Sequence, residues 1–171
     1  MRRRGFSLLE ILVVIAVILF LIAVMFAALT KLRARTAMGQ AKNLVEKCSS
    51  ALETYKLHFR DYPDATLGGK TGSENLYYFL ATPFRQGAVV AKGEVEATIN
   101  VGPLLPFEEE QDLKKQGTKT FVVDPWRNPL VFKINLIKDA NLFDIKIPVI
   151  YSFGINGADN NGGGDDILVG K

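Results

Sequence analysis

The chain has 171 residues, of which 48% are hydrophobic and 23% charged, so it is not disordered as a whole and has room for one domain plus an accessory segment. Its charge of +3 comes from 21 basic and 18 acidic side chains; Arg2, Arg3 and Arg4 supply the whole excess, which argues against a nucleic-acid surface. One cysteine, Cys48, and one histidine, His58, rule out an internal disulfide and leave zinc sites and Ser-His-Asp hydrolysis almost nothing to work with.

The first element in chain order is apolar. Ile11 to Leu29 are 19 consecutive residues without a charge, proline or glycine, and 14 of them are Leu, Ile, Val or Phe. As a helix they span about 28 Å, close to the roughly 30 Å of a bilayer core. Insertion gains on the order of 4 to 8 kcal/mol, against a cost of roughly 3 kcal/mol or less for Glu10 at the end of the span. A buried core helix is the competing reading, but this stretch is apolar on every face. Orientation is not fixed by charge, because Arg2 to Arg4 before the span balance Lys31, Arg33 and Arg35 after it. A secretory signal peptide cut near Ala27 and Ala28 is a further alternative, opposed by a helical pattern that runs through that cut.

The stretch Arg2-Arg3-Arg4-Gly5-Phe6-Ser7-Leu8-Leu9-Glu10 resembles the class III signal of type IV prepilins and type II secretion pseudopilins. That resemblance implies cleavage after Gly5 by a prepilin peptidase on the cytoplasmic face and N-methylation of Phe6. The leader, 1–5, would stay inside and the remainder would face the periplasm. It also implies a filament-core helix over 6–30 and registration of neighbouring subunits by Glu10 against the freed amine of Phe6. At 4 Å such a pair attracts by about 4 kcal/mol at an effective dielectric near 20, before desolvation is subtracted. The alternative is that Glu10 only snorkels to the headgroups.

The helical pattern continues beyond the membrane. Ala37, Ala41, Leu44, Val45, Cys48, Ala51, Leu52, Tyr55 and Phe59 recur at three- and four-residue steps, with Lys42, Glu46, Lys47, Glu53 and Lys56 on the other faces. An amphipathic continuation over 31–60 follows, ended by Asp61-Tyr62-Pro63. From Phe6 to Phe59 the helix would reach about 80 Å. Cys48 on the apolar stripe reads as a small buried hydrophobe, and His58 as a surface or capping residue.

Residues 61–171 suffice for one small core. Ser73-Glu74-Asn75 before Leu76 to Leu80 reads as an N-capped short helix. Val89 to Lys92 and Glu94 to Val101 flank Gly93 as a hairpin, and Glu108 to Lys115 as a surface helical turn. Leu130 to Asn135 and Ile145 to Phe153, joined through Lys138 to Asn141, read as an antiparallel pair. The expected fold class is therefore α+β, a long helix packed on a small antiparallel sheet.

Three further stretches resemble the major pseudopilin of type II secretion: Tyr55 through Pro63, Asp124-Pro125-Trp126-Arg127-Asn128-Pro129, and Tyr151 to Gly157 with Asp165-Asp166-Ile167. Residues 64–123 lie outside the resemblance. In the second stretch Arg127 stands where the family has Gly. Two prolines fix φ there, Trp126 is expected to plug the core and Asn128 to bond nearby backbone; a ligand-binding role is the alternative. In the third, Asn156, Asp159, Asn160, Asn161, Asp165 and Asp166 fall within eleven residues among five glycines counting Gly154. Such oxygens on a pliant chain suit calcium, which takes six to eight; a solvated Asx-Gly turn cluster without metal is the alternative. The resemblance favours calcium, held by Asp165, Asp166 and Asn156, with Asp159 as an extra ligand and the Phe153 carbonyl contributing. Asn156 replaces a usual Asp and removes one charge. The implied function is that of a non-enzymatic pseudopilus subunit in the inner membrane, whose partners are copies of itself, minor pseudopilins, the prepilin peptidase, a platform protein and an assembly ATPase. A type IV pilus subunit, or a tethered calcium-binding module that never polymerises, are the alternatives.

Overall fold

The computed structural model describes residues 8–89, 95–138 and 144–168. The chain separates into two units, Met1–Ala37 and Met38–Lys171. Helix α1, Leu8–Phe59, contributes to both. It contains no proline, Glu10 sits in its first turn and Lys56 in its last, each charge matching the helix dipole at its end. In the first unit the large apolar side chains are exposed, and the 18-residue window apolar enough to cross a membrane has 0% of its residues buried.

The end of α1 differs in detail from the expected proline stop. Arg60 takes a left-handed φ of 60° and donates its N–H to the Lys56 carbonyl at 2.7 Å, which closes the last turn before Pro63 is reached. Tyr62 then turns back, its hydroxyl donating to Glu53 Oε1 at 2.6 Å.

In the second unit the amphipathic stripe is buried from Ala41 to Leu52, while Tyr55 and Phe59 are half-buried. Leu44, Val45, Cys48, Ala51 and Leu52 join Leu76, Leu80, Leu113, Val122, Leu130, Phe132 and Ile150 in one core. Burial pushes the Cys48 thiol well above its ordinary range, so it is inert in the fold.

Helix α2 spans Gly72–Ala81, but its cap is Thr71 and not the Ser73 region. Thr71 Oγ1 accepts from Glu74 N, and the Glu74 carboxylate accepts from Thr71 N at 2.9 Å, a reciprocal capping box. Ser73 is already inside the helix, where its hydroxyl donates to the Val122 carbonyl at 2.7 Å. Gly72 is required at this start, because a Cβ there would lie 2.3 Å from the Phe132 carbonyl oxygen.

Among the described residues the strands form three small antiparallel sheets. Strands β1 (Phe84–Val89) and β2 (Val95–Val101) make the first hairpin, with a register shift between Ala88 and Val89; its expected turn at Gly93 lies outside the described residues. Strands β3 (Leu113–Gln116) and β4 (Lys119–Val122) make the second. The expected helical turn survives only up to Asp112, whose N–H donates to the Glu108 carbonyl at 2.8 Å. From Leu113 the chain is strand, because that side chain is drawn into the core and Gly117, at φ 64°, opens a two-residue turn back. Strands β5 (Val131–Lys138) and β6 (Asp144–Ser152) pair as expected, with Val131 opposite Tyr151 and Lys138 opposite Asp144; residues 139–143 of the expected connection lie outside the described residues. A two-residue β7 (Ile167–Leu168) adds to β6 at Tyr151 and Ser152. The α+β class holds, with β3, β4, β5 and β6 each lending a residue to the core that covers the buried stretch of α1.

Candidate functional sites

Two regions carry the sequence-derived candidates. At the N-terminus, Gly5 and Phe6 lie outside the described residues. Glu10 is exposed in the first turn of α1, followed by apolar side chains that are themselves exposed from Ile11 to Phe26 wherever described. A carboxylate followed by an unburied apolar helix has no partner of its own kind in a folded core. An apolar surface of this extent marks a region of contact with lipid or with other protein chains.

At the other end of the chain, a turn and a loop are built together. The turn is Asp124–Pro129. Asp124 is 0% exposed. Its Oδ1 accepts from Trp126 N at 3.0 Å and Asn128 N at 2.9 Å, an Asx arrangement that satisfies the backbone between the two prolines. The Asn128 carbonyl accepts from Asp124 N at 2.9 Å, and Val123 bridges Pro129. Trp126, expected to plug the core, is only half-buried and outside the core cluster. The buried member of the turn is the acid, because two backbone donors and the Ser152 hydroxyl compensate its desolvation. Arg127 has φ 70°, which explains why a glycine suits that position; its guanidinium compensates by donating to the Glu110 carbonyl at 2.8 Å and the Leu113 carbonyl at 3.4 Å.

The C-terminal loop, 153–166, leaves β6 through Gly154 at φ 68° and returns through Asp165 and Asp166 to β7. Asp165 gathers the loop. Its Oδ2 accepts from Asn156 N at 3.0 Å, and its Oδ1 accepts from Asn160 Nδ2 at 3.2 Å and from Asn156 Nδ2. Asp166 Oδ2 accepts from Asn160 N at 2.9 Å and Gly162 N at 2.8 Å, while its Oδ1 is buried with no hydrogen-bond partner. Asn156 Oδ1 accepts from Ala158 N at 2.6 Å. Asp165, Asp166, Asn156 and Asn160 are therefore brought together. Asp159 faces another way: its Oδ1 accepts from Asn161 N and from the Tyr151 hydroxyl, both at 2.8 Å, and its Oδ2 lies 4.0 Å from Lys133 Nζ. The bond from Asn161 N, followed by that from Tyr151, holds the Asp159 carboxyl below the usual range. Phe153 is half-buried against Tyr151, with ring centroids 6.3 Å apart. Among the described residues no three His, Cys, Asp or Glu side chains converge as a metal cluster. What the loop offers is hard oxygen: two carboxylates and Asx amides, with one buried carboxylate oxygen unpaired.

Asn160 was absent from the ligand set expected from sequence, although its Asx chemistry was in view. Ser152 was missed altogether. Its hydroxyl links Asp124 to the loop, and a lone serine at a strand end gives no sequence signal for that contact.

Among known families, residues 1–26 match the model described as the prokaryotic N-terminal methylation motif. No curated protein and no solved structure matches the chain. The motif supports a type IV pilin-like, prepilin-processed subunit, and the apolar helix behind it is compatible with single-pass membrane anchoring.

Proposed function

We propose that this protein is a structural subunit of a type II secretion pseudopilus. The observation that carries the reading is the N-terminal methylation motif at the start of a helix whose apolar window has no buried residue, with Glu10 in the first turn. Cut after Gly5, the chain presents a new amine at Phe6 in the same layer as the Glu10 carboxylate. Copies then align side by side through their apolar helices, each acid taking a neighbour's amine. Contacts of this head-to-tail kind do not close on themselves and so extend into a fibre. The prepilin peptidase would process the chain, and a platform protein and an assembly ATPase would drive extraction from the inner membrane, with minor pseudopilins as companions. The heads would stand in the periplasm. The subunit needs no chemistry of its own, since secretion of folded proteins would use the fibre mechanically.

Mass spectrometry of the N-terminus purified from the native membrane tests this directly. A mass starting at methylated Phe6 is expected; an intact three-arginine leader in all of the protein would overturn it. Deletion then separates the two filament types: loss of protein secretion supports the pseudopilus, whereas loss of motility or DNA uptake with normal secretion supports a pilus.

The C-terminal loop is proposed to hold calcium through Asp165, Asp166 and the Asn156 amide oxygen, with the unpaired Asp166 Oδ1 as the strongest pointer to a missing cation. When bound, calcium would supply charge neutralisation for adjacent carboxylates. Asp159 reaches it only if it leaves Tyr151 and Lys133, which makes it the weakest of the expected ligands. Because the folded loop would bind and the unfolded chain would not, calcium at a hundredfold excess over Kd should stabilise the fold by about 2.7 kcal/mol and so raise the melting temperature. An unchanged melt between millimolar calcium and chelator would remove the cation from the account.

A further inference from the structure

We infer that Asp124 and Ser152 are positioning residues for the C-terminal loop, so that the turn at 124–129 sets the order of a loop thirty residues further on. Asp124 uses its two oxygens for two tasks. Oδ1 fixes the turn through Trp126 N and Asn128 N, and Oδ2 accepts the Ser152 hydroxyl at 2.6 Å. Ser152 Oγ in turn accepts from Gly154 N at 3.1 Å, the first residue at which the chain swings out of β6. Both Asp124 and Ser152 are 0% exposed, so these bonds are made away from competing water.

Two contacts close the unit. Asn128 Nδ2 lies 3.5 Å from the Gly154 carbonyl, and a Cβ on Gly157 would come 3.4 Å from the Asn128 side chain, so the turn and the loop lie in van der Waals contact. Gly154 meets the far end of the loop directly: a Cβ there would stand 2.2 Å from the Asp165 carbonyl oxygen. The chain of contacts therefore runs Asp124, Ser152, Gly154, Asp165. Asp165 is the residue that gathers Asn156 and Asn160. A shift of Gly154 toward Asp165 must displace it, because there is no free space between them. Loop order depends on this linkage with or without a cation. The consequence for affinity rests on the calcium reading given above.

The test uses the full chain in detergent micelles. Ser152→Ala cuts the link while leaving both turn bonds to Asp124 Oδ1. Asp124→Asn is the conservative counterpart, because its amide can still accept from the turn and donate to Ser152 Oγ. In chelator, hydrogen exchange across 154–166 should speed up at least tenfold in Ser152→Ala and stay within about threefold of wild type in Asp124→Asn. Amides of Val45 to Leu52 report global stability and should move far less. Equal acceleration in both regions, or none in the loop, overturns the positioning role. The calcium arm is separate. Trp126 is the only tryptophan and sits inside the turn, so calcium bound at the loop should change its emission in wild type and not in Ser152→Ala, whose affinity by calorimetry should fall about tenfold. Binding with unchanged affinity and an unchanged Trp126 response in Ser152→Ala counts against the linkage. If wild type shows no calcium heat, the calcium reading fails alone and the exchange arm still decides the positioning.

Discussion

Arg127 shows how one backbone angle can be at odds with its side chain. A left-handed φ of 70° costs an L-residue about 1–2 kcal/mol relative to glycine. Against that, its guanidinium bonds two carbonyls, at Glu110 and Leu113, worth about 1 kcal/mol each at an exposed site. Arg127→Gly should therefore change stability by less than about 1 kcal/mol, while Arg127→Val, which keeps the strain and loses the bonds, should cost about 2 kcal/mol or more; denaturant midpoints would read both. Glu74 makes a pH-dependent contribution. Its carboxyl is held below the ordinary range, first by the Thr71 N–H it accepts, then by the Thr71 hydroxyl and Lys119 at 3.6 Å. A depressed folded value means the stabilisation is complete above the unfolded value near 4.3 and is lost as pH falls through the lower folded one. Melting temperature should thus drop as pH falls below about 4.3, and Glu74→Gln should flatten that drop in part, leaving the share of Asp61, Asp64 and Asp159, whose carboxyls are also lowered.

At the level of elements, the two parts of α1 answer to different surroundings. Leu52 is 0% exposed in the core, and Leu52→Ala should cost the head about 2–5 kcal/mol. Leu19 is 61% exposed, and Leu19→Ala should leave head melting unchanged; a common shift in both variants would mean the helix and the head unfold as one. This division was legible in the sequence, because a 3.6-residue period and an uninterrupted apolar run are long signals that average over many side chains. The β5–β6 pair was legible for the same reason. Shorter signals misled. Ser73 looked like a cap because serine commonly is one, but Thr71 sits three residues before Glu74 and completes the reciprocal pair. The strands β3 and β4 have four residues each, too few for a period, and the charges from Glu108 to Lys115 masked the single buried Leu113 that makes the segment a strand. Trp126 drew attention by size, whereas the burial belongs to Asp124, and only the fold brings Ser152 to it. The loop's oxygens were readable from composition; which of them face one another was not, and Asp159 is the example, turned toward Tyr151 and Lys133 by contacts far apart in sequence.

For the whole molecule the decisive question is what covers the apolar surface of the first unit. A bilayer would solvate it in the monomer, and in a fibre the same helices from other copies would replace the lipid. Glu10 distinguishes these two states. In lipid it lies near the end of the span, where an acid costs less than the roughly 3 kcal/mol of the bilayer centre, so Glu10→Val should insert at least as well as wild type. In the fibre it would compensate the amine of a neighbouring Phe6, and valine leaves that cation in an apolar layer without its counter-charge. Breaking such a pair on one side only is costly, about 3–5 kcal/mol when buried. Each added subunit would carry that cost, so membrane fractionation should find the variant in place while sheared-fibre yield falls by two orders of magnitude or more. Glu10→Asp, with a shorter reach but the same charge, should recover part of the yield. Normal fibres from Glu10→Val would show that the acid only seeks the headgroups, and that apolar packing sets the register unaided.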